Sequence, residues 1–154
     1  MSSSPRTTTN LADAAPRLAA AQAAFQQVAY PGSVDLVTRE LVRITSGRLS
    51  HCSYCRNLRL RAAIKRGFDE DMVAQLDDVT QSNLTDAQKI AVKLAQAFLT
   101  DPAAFGPEDR AELRRNFDDE QVAELMLDLV RFRPGSKLAV ASGTVPEGDD
   151  LVLI

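Results

Sequence analysis

Thr85-Asp86-Ala87-Gln88, running on through Lys89-Ile90-Ala91-Val92-Lys93-Leu94-Ala95-Gln96-Ala97-Phe98, decides the fold class. A threonine followed three residues later by glutamine has capping-box form, each side chain satisfying an N–H that the first turn of a helix leaves open. Behind it Ala87, Ile90, Ala91, Leu94, Ala95 and Phe98 recur at helical spacing and make one apolar stripe. Asp101-Pro102 closes this helix. Downstream, Pro107 suits the first position of a helix reaching Phe117. Asp118 opens another, with the stripe Val122, Leu125, Met126, Leu129 and Val130, which Pro134-Gly135 is expected to end before a last short turn over Ser136 to Ser142.

Upstream the pattern is the same. Residues 11–29 are rich in Ala, Gln and Leu and predict a helix with Pro16 in or breaking its first turn, stopped by Pro31-Gly32. Ser33 is a candidate cap for a helix over 34–48, because Val37, Leu41, Ile44 and Arg48 share one face; Glu40 projects about 60° from the middle of it. A third helix is expected from Ser50 or Cys52 to Arg66, ended by Gly67 in a left-handed cap. Asp69 caps a short fourth through Met72, Val73 and Leu76. No alternating β-branched run stands between turn signals, so no strand is expected. The fold class is therefore all-α, a single-domain helical bundle over residues 11–143. Residues 1–10 are expected to be loosely ordered. Residues 144–154 form a tail whose Leu151-Val152-Leu153-Ile154 end either docks on a neighbouring subunit or frays.

With 154 residues, 45% apolar and 25% charged, the composition is that of one ordinary globular domain. The net charge of -3 argues against a nucleic-acid partner. No stretch approaches the ~18 apolar residues that a membrane span requires. Arg17, Gln22, Gln26 and Gln27 interrupt the Ala-rich opening, so it does not read as a secretory signal, and a cytoplasmic location follows. Thiols there are kept reduced, so Cys52 and Cys55 are a better fit to a reactive or metal-binding pair than to a permanent staple.

The pair Cys52-Ser53-Tyr54-Cys55 stands at the start of the expected third helix, where free N–H groups and the helix dipole favour thiolate. Arg48, Arg56 and Arg59 add positive charge nearby. A sulfenic acid on one cysteine can be resolved by the other two residues away. A thioredoxin-type arrangement would need a strand leading into the motif, and the preceding segment is helical. Zinc would need four ligands, and Cys52, Cys55 and His51 offer three. Two small buried hydrophobes are the remaining alternative. Glu40 bears on the choice, since a carboxylate near an apolar face needs a partner. Cys52, Cys55 and Arg59 would share one face of the third helix at i, i+3, i+7 spacing.

Glu40, eleven intervening residues and Cys52-x-x-Cys55 resemble the carboxymuconolactone decarboxylase family in its alkylhydroperoxidase D-like branch. The resemblance runs from about Val34 to Gly143 and takes in Arg39-Glu40-Leu41-Val42, Gly67, Leu84 to Gln88 and Phe117 to Leu129. It implies a thiol-dependent, peroxiredoxin-like antioxidant enzyme that reduces peroxides through a dithiol–disulfide cycle. Its partners would be a peroxide or other small-molecule substrate and a thiol or lipoyl-type reductant, with no metal and no cofactor beyond the redox-active disulfide. Cys55 would attack the peroxide, Cys52 would resolve it, and Glu40 would serve a proton relay, in a homo-oligomer. The family's histidine four residues after the second cysteine is Arg59 here. Arg59 is expected either to pair with Glu40 and lower the Cys55 pKa or to be a surface arginine. His51, at i, i+4 from Cys55, is a candidate replacement relay or a solvated cap. Ser136-Lys137 stands where the family often has Asn-Arg. The alternatives are a member without peroxidase activity acting as a binding or scaffold protein, and a lactone decarboxylase-like enzyme.

Overall fold

Helix α2, Leu36–Leu49, is the axis of the molecule, because every residue from Val37 to Gly47 is buried. In the computed structural model, which describes residues 13, 15–28, 32–145, 148 and 150–154, α2 follows α1 (Pro16–Val28). The expected loose segment 1–10 and a helix start at Leu11 lie outside the described residues. Asp35, not Ser33, caps α2, its carboxylate accepting from the Thr38 N–H at 2.9 Å. Ser33 is instead held by Glu124, which takes its backbone N–H at 2.6 Å and its hydroxyl at 3.0 Å.

The segment expected as one long third helix is divided. Cys52 caps α3 (Ser53–Asn57), β1 (Leu58–Arg59) follows, and α4 (Arg61–Ile64) resumes the helix. The division has a non-local cause. Leu58 and Arg59 pair in parallel with Val152 and Leu153 of β2 (Val152–Leu153). Ile154 donates to the Arg59 carbonyl at 3.0 Å, and Arg61 donates to the Ile154 carbonyl at 2.9 Å. The expectation of no strand is thus corrected at two short pieces, and the tail docks on its own chain. Gly67 makes the predicted stop, with φ 95°; the Gly67 and Phe68 N–H groups close back on the Ile64 and Ala63 carbonyls.

Asp69 caps α5 (Glu70–Ala74), and one 3-10 turn runs to Asp77. The Thr85–Gln88 capping box opens α6 (Asp86–Thr100) as expected. Pro107 begins α7 (Pro107–Asn116). Asp118 and Gln121 form a second capping box at the start of α8 (Asp119–Ser142). This last helix does not stop at Pro134-Gly135. Buried Leu125, Leu129 and Arg131 before that point and buried Ser136 after it tie both halves to the core, and packing overrides the local breaker. Gly143, at φ 69°, is the actual end.

Two apolar clusters flank α2. Val42 packs with Ile90, Ala91 and Leu94 of α6, Leu113 of α7, and Leu125 and Leu129 of α8. Val37, Leu41 and Ile44 pack with Ala63, Phe68, Val73, Leu76 and Val92. The buried charge on α2 is paired: Arg39 grips Asp128 at 2.8 and 3.1 Å and meets Glu124 at 2.9 Å. Among the described residues no helix is long and apolar enough to cross a membrane.

Candidate active site

Cys52 and Cys55 are joined in a disulfide, with their Cα atoms 5.2 Å apart. Their surroundings differ. Cys52 is fully buried at the cap position of α3, and its sulfur accepts from the Cys55 N–H at 3.2 Å. Cys55 is half-buried and opens onto a cavity of about 470 Å³, walled by Tyr54, Leu58, Leu60, Phe132 and Ile154, with Arg43 and Arg131 at its polar side. Ser136 also lines it, and its hydroxyl donates to the Cys55 sulfur at 3.3 Å.

Glu40 is fully buried, and its partner is Arg43, one helical turn on. The two make a bidentate pair, Nε to Oε2 and Nη2 to Oε1, both at 2.8 Å. The Leu60 N–H donates to the same carboxylate at 3.0 Å. Arg43 spends its remaining donors on the Cys55 carbonyl at 2.7 Å and on the Leu58 carbonyl. A buried carboxylate therefore holds a guanidinium, and the guanidinium holds the middle and the C-terminal cap of α3. Planar Arg suits this work because its five N–H groups form a fixed fork.

The expected Arg59–Glu40 pair does not form. Arg59 sits on β1 instead of a helix face shared with Cys52 and Cys55, and its guanidinium pairs with Glu70 at 2.6 and 2.9 Å. It also donates to the Arg56 carbonyl at 2.6 Å, so this buried arginine fastens the end of α3 and is not a surface residue. The Arg59 hydrogen bonds hold the Glu70 carboxyl below its usual range. His51 is exposed, in a left-handed turn with φ 53°, before the cap of α3. The i, i+4 geometry assumed for it is absent, because the helix begins after Cys52.

Gly47 explains how the pair comes so close to α2. A Cβ there would stand 2.8 Å from the Arg56 nitrogen and 2.9 Å from the Cys55 carbonyl carbon, both backbone atoms that cannot swing aside. Alanine gains ~1 kcal/mol in helix propensity. Overpacking costs about 1–3 kcal/mol, toward the upper end against backbone. Gly47→Ala is therefore expected to lower stability by roughly 1–2 kcal/mol; a thermal melt showing no loss would overturn the close-approach account.

Arg43 was not singled out from sequence, and Ser136 stood there only as part of the Ser136-Lys137 pair in the family's Asn-Arg position, not as a neighbour of Cys55. Arg43 was within reach, since an acid and a base at i, i+3 on one helix are neighbours. Ser136 was concealed by the assumed stop at Pro134-Gly135. Among the described residues no group of three or more His, Cys, Asp or Glu is placed to hold a metal.

A model of the carboxymuconolactone decarboxylase family matches residues 16–97. An uncharacterized protein of Mycobacterium tuberculosis is 32% identical over 117 residues, covering 75% of this chain and 41% of that one. The chain thus spans about two fifths of that relative's length. Another uncharacterized protein, YdfG of Bacillus subtilis, is 23% identical over 113 residues, 72% of this chain and 77% of that one. Among solved structures, a protein of unknown function from Agrobacterium tumefaciens, named for AhpD-type antioxidant defence, superposes with a TM-score of 0.77 at 16% identity, over 92% of this chain and 99% of that one. The debrominase Bmp8 bound to 2,3,4-tribromopyrrole superposes with a TM-score of 0.70 at 18% identity, over 85% and 71%. At these identities the structural likenesses establish the helical fold.

Proposed function

The chain belongs to the carboxymuconolactone decarboxylase family, and from that premise we propose that it is a dithiol–disulfide oxidoreductase that reduces peroxides through Cys52 and Cys55. The asymmetry of the pair carries this: Cys55 faces the cavity while Cys52 lies sealed behind it. In the reduced enzyme the Cys55 thiolate attacks a peroxide oxygen. The S–O bond forms, the O–O bond breaks, and the departing alkoxide takes up a proton. Cys52 then loses its proton and attacks the Cys55 sulfur, expelling water and forming the disulfide. A dithiol donor of the small-thiol or lipoyl type returns two electrons by thiol–disulfide exchange and is itself oxidised to a disulfide.

Two observations support an activated pair. The sulfur of Cys52 sits at the cap of α3 and accepts a backbone N–H, an arrangement that favours thiolate. Arg43 brings a positive charge to the cavity beside Cys55 while Glu40 fixes its direction. Glu40, held in a bidentate ion pair, acts by positioning Arg43 and α3. Arg59, bound to Glu70, acts on the far end of the same segment. Exposed Leu18, Met126, Leu127 and Val130 offer apolar surface for self-association, and the working unit is a cytoplasmic homo-oligomer.

The test begins with fully reduced protein exposed to stoichiometric hydrogen peroxide or an alkyl hydroperoxide. Mass spectrometry is expected to show loss of two hydrogen masses and a Cys52–Cys55 crosslink. Accessible, reduced thiols that leave the peroxide untouched would sink the assignment.

A further inference from the structure

We propose that Ser136 is a catalytic residue, its hydroxyl donating a hydrogen bond that stabilises negative charge on the Cys55 sulfur. The Ser136 Oγ lies 3.3 Å from that sulfur, with the hydroxyl as donor. Ser136 is itself 6% exposed, so the bond is sheltered from water. A hydroxyl buried against sulfur stabilises the thiolate more than the thiol, because a charged acceptor makes the stronger hydrogen bond. The placement depends on the path of α8. A helix ending at Pro134-Gly135 would not carry residue 136 to the cavity, whereas the continuous helix does.

The charged groups around Cys55 do not supply the same contact. Arg43, from α2, points its guanidinium at Glu40 and at the Cys55 and Leu58 carbonyls. Arg131, from α8, is paired with Asp128 at 3.1 Å and lies over the Phe132 ring. Tyr54, from α3, is the remaining titratable side chain on the cavity wall among the described residues. These set the background potential, and Ser136 provides the directed bond to the reacting atom. A donor thiolate attacks the Cys55 sulfur that faces the cavity, and the S–S electron pair leaves on Cys52. When the donor's second thiolate attacks its own sulfur in the mixed disulfide, Cys55 departs as thiolate and the Ser136 hydroxyl meets that charge as it forms. When the resulting thiolate attacks a peroxide, the same donor turns toward the leaving oxygen.

This deepens the dithiol function of the same site, yet it is tested without any peroxide. In a Cys52→Ser background a single thiol titrates, which avoids coupled ionisations. The rate of alkylation by iodoacetamide against pH gives the Cys55 pKa, and Ser136→Ala is expected to raise it by about one unit. Ser136→Thr keeps the hydroxyl and is expected to stay near the parent value, with circular dichroism confirming that both variants fold. An unchanged pKa in Ser136→Ala, or a threonine variant shifted as far as alanine, overturns the role. The peroxide assignment fails separately, by unreactive wild-type thiols.

Discussion

Cys55→Ser is expected to abolish peroxide turnover, a fall of roughly a thousandfold or more, because among the described residues no other group on the cavity wall is a soft nucleophile. Oxygen in place of sulfur keeps the shape but not the ionisation: serine is not activated by the donors that serve a thiolate. Cys52→Ser is expected to behave differently. Its Cys55 still meets peroxide in a first turnover, but the sulfenic acid then has no resolving partner and multiple turnover is lost. Trapping with a sulfenate-specific reagent, followed by mass spectrometry, separates the two. The Cys52→Ser protein should be labelled at Cys55 and the Cys55→Ser protein should not. Equal labelling of both, or full activity in Cys55→Ser, would reverse the assignment of roles.

The second large effect belongs to Glu40. Its carboxylate is buried and answers both Arg43 and the Leu60 N–H, so Glu40→Ala strands a charge and an amide together. Breaking a buried pair from one side costs about 3–5 kcal/mol. Replacing both partners, as in Glu40→Leu with Arg43→Met, removes the stranded charge and should cost less than the sum of the single variants. It does not return to wild type, because the Cys55 and Leu58 carbonyls lose their donor. Urea denaturation of the four proteins of the cycle measures this. Strict additivity would mean that the pair carries no coupling and that Arg43 acts through other contacts.

Local chemistry was legible where it acts alone. The Thr85–Gln88 box, Pro107, Asp118 and Gly67 each do locally what their side chains dictate. Burial of Glu40 followed from its place beside an apolar face, and only its partner was misassigned. What the sequence concealed depends on residues distant in the chain. Leu58 and Arg59 leave the helical path because Val152 and Leu153 pair with them, and no periodicity within 50–66 announces that. Ser33 and Asp35 are both competent caps, and Glu124, far along the chain, occupies Ser33 and leaves the role to Asp35. Pro134-Gly135 reads as a stop until the packing of Leu129 and Ser136 on either side is known.

The parallel pairing of Leu58 and Arg59 with Val152 and Leu153 sets an order of events at birth. A ribosome delivers both cysteines long before it delivers Ile154, roughly a hundred residues later at the rate of ~5–20 residues per second. Until that segment arrives, one wall of the chamber is missing and Cys55 is reachable by bulky oxidants. The nascent chain therefore passes through several seconds in which its sulfur chemistry is unselective, and the late-arriving 152–154 segment is what imposes selection.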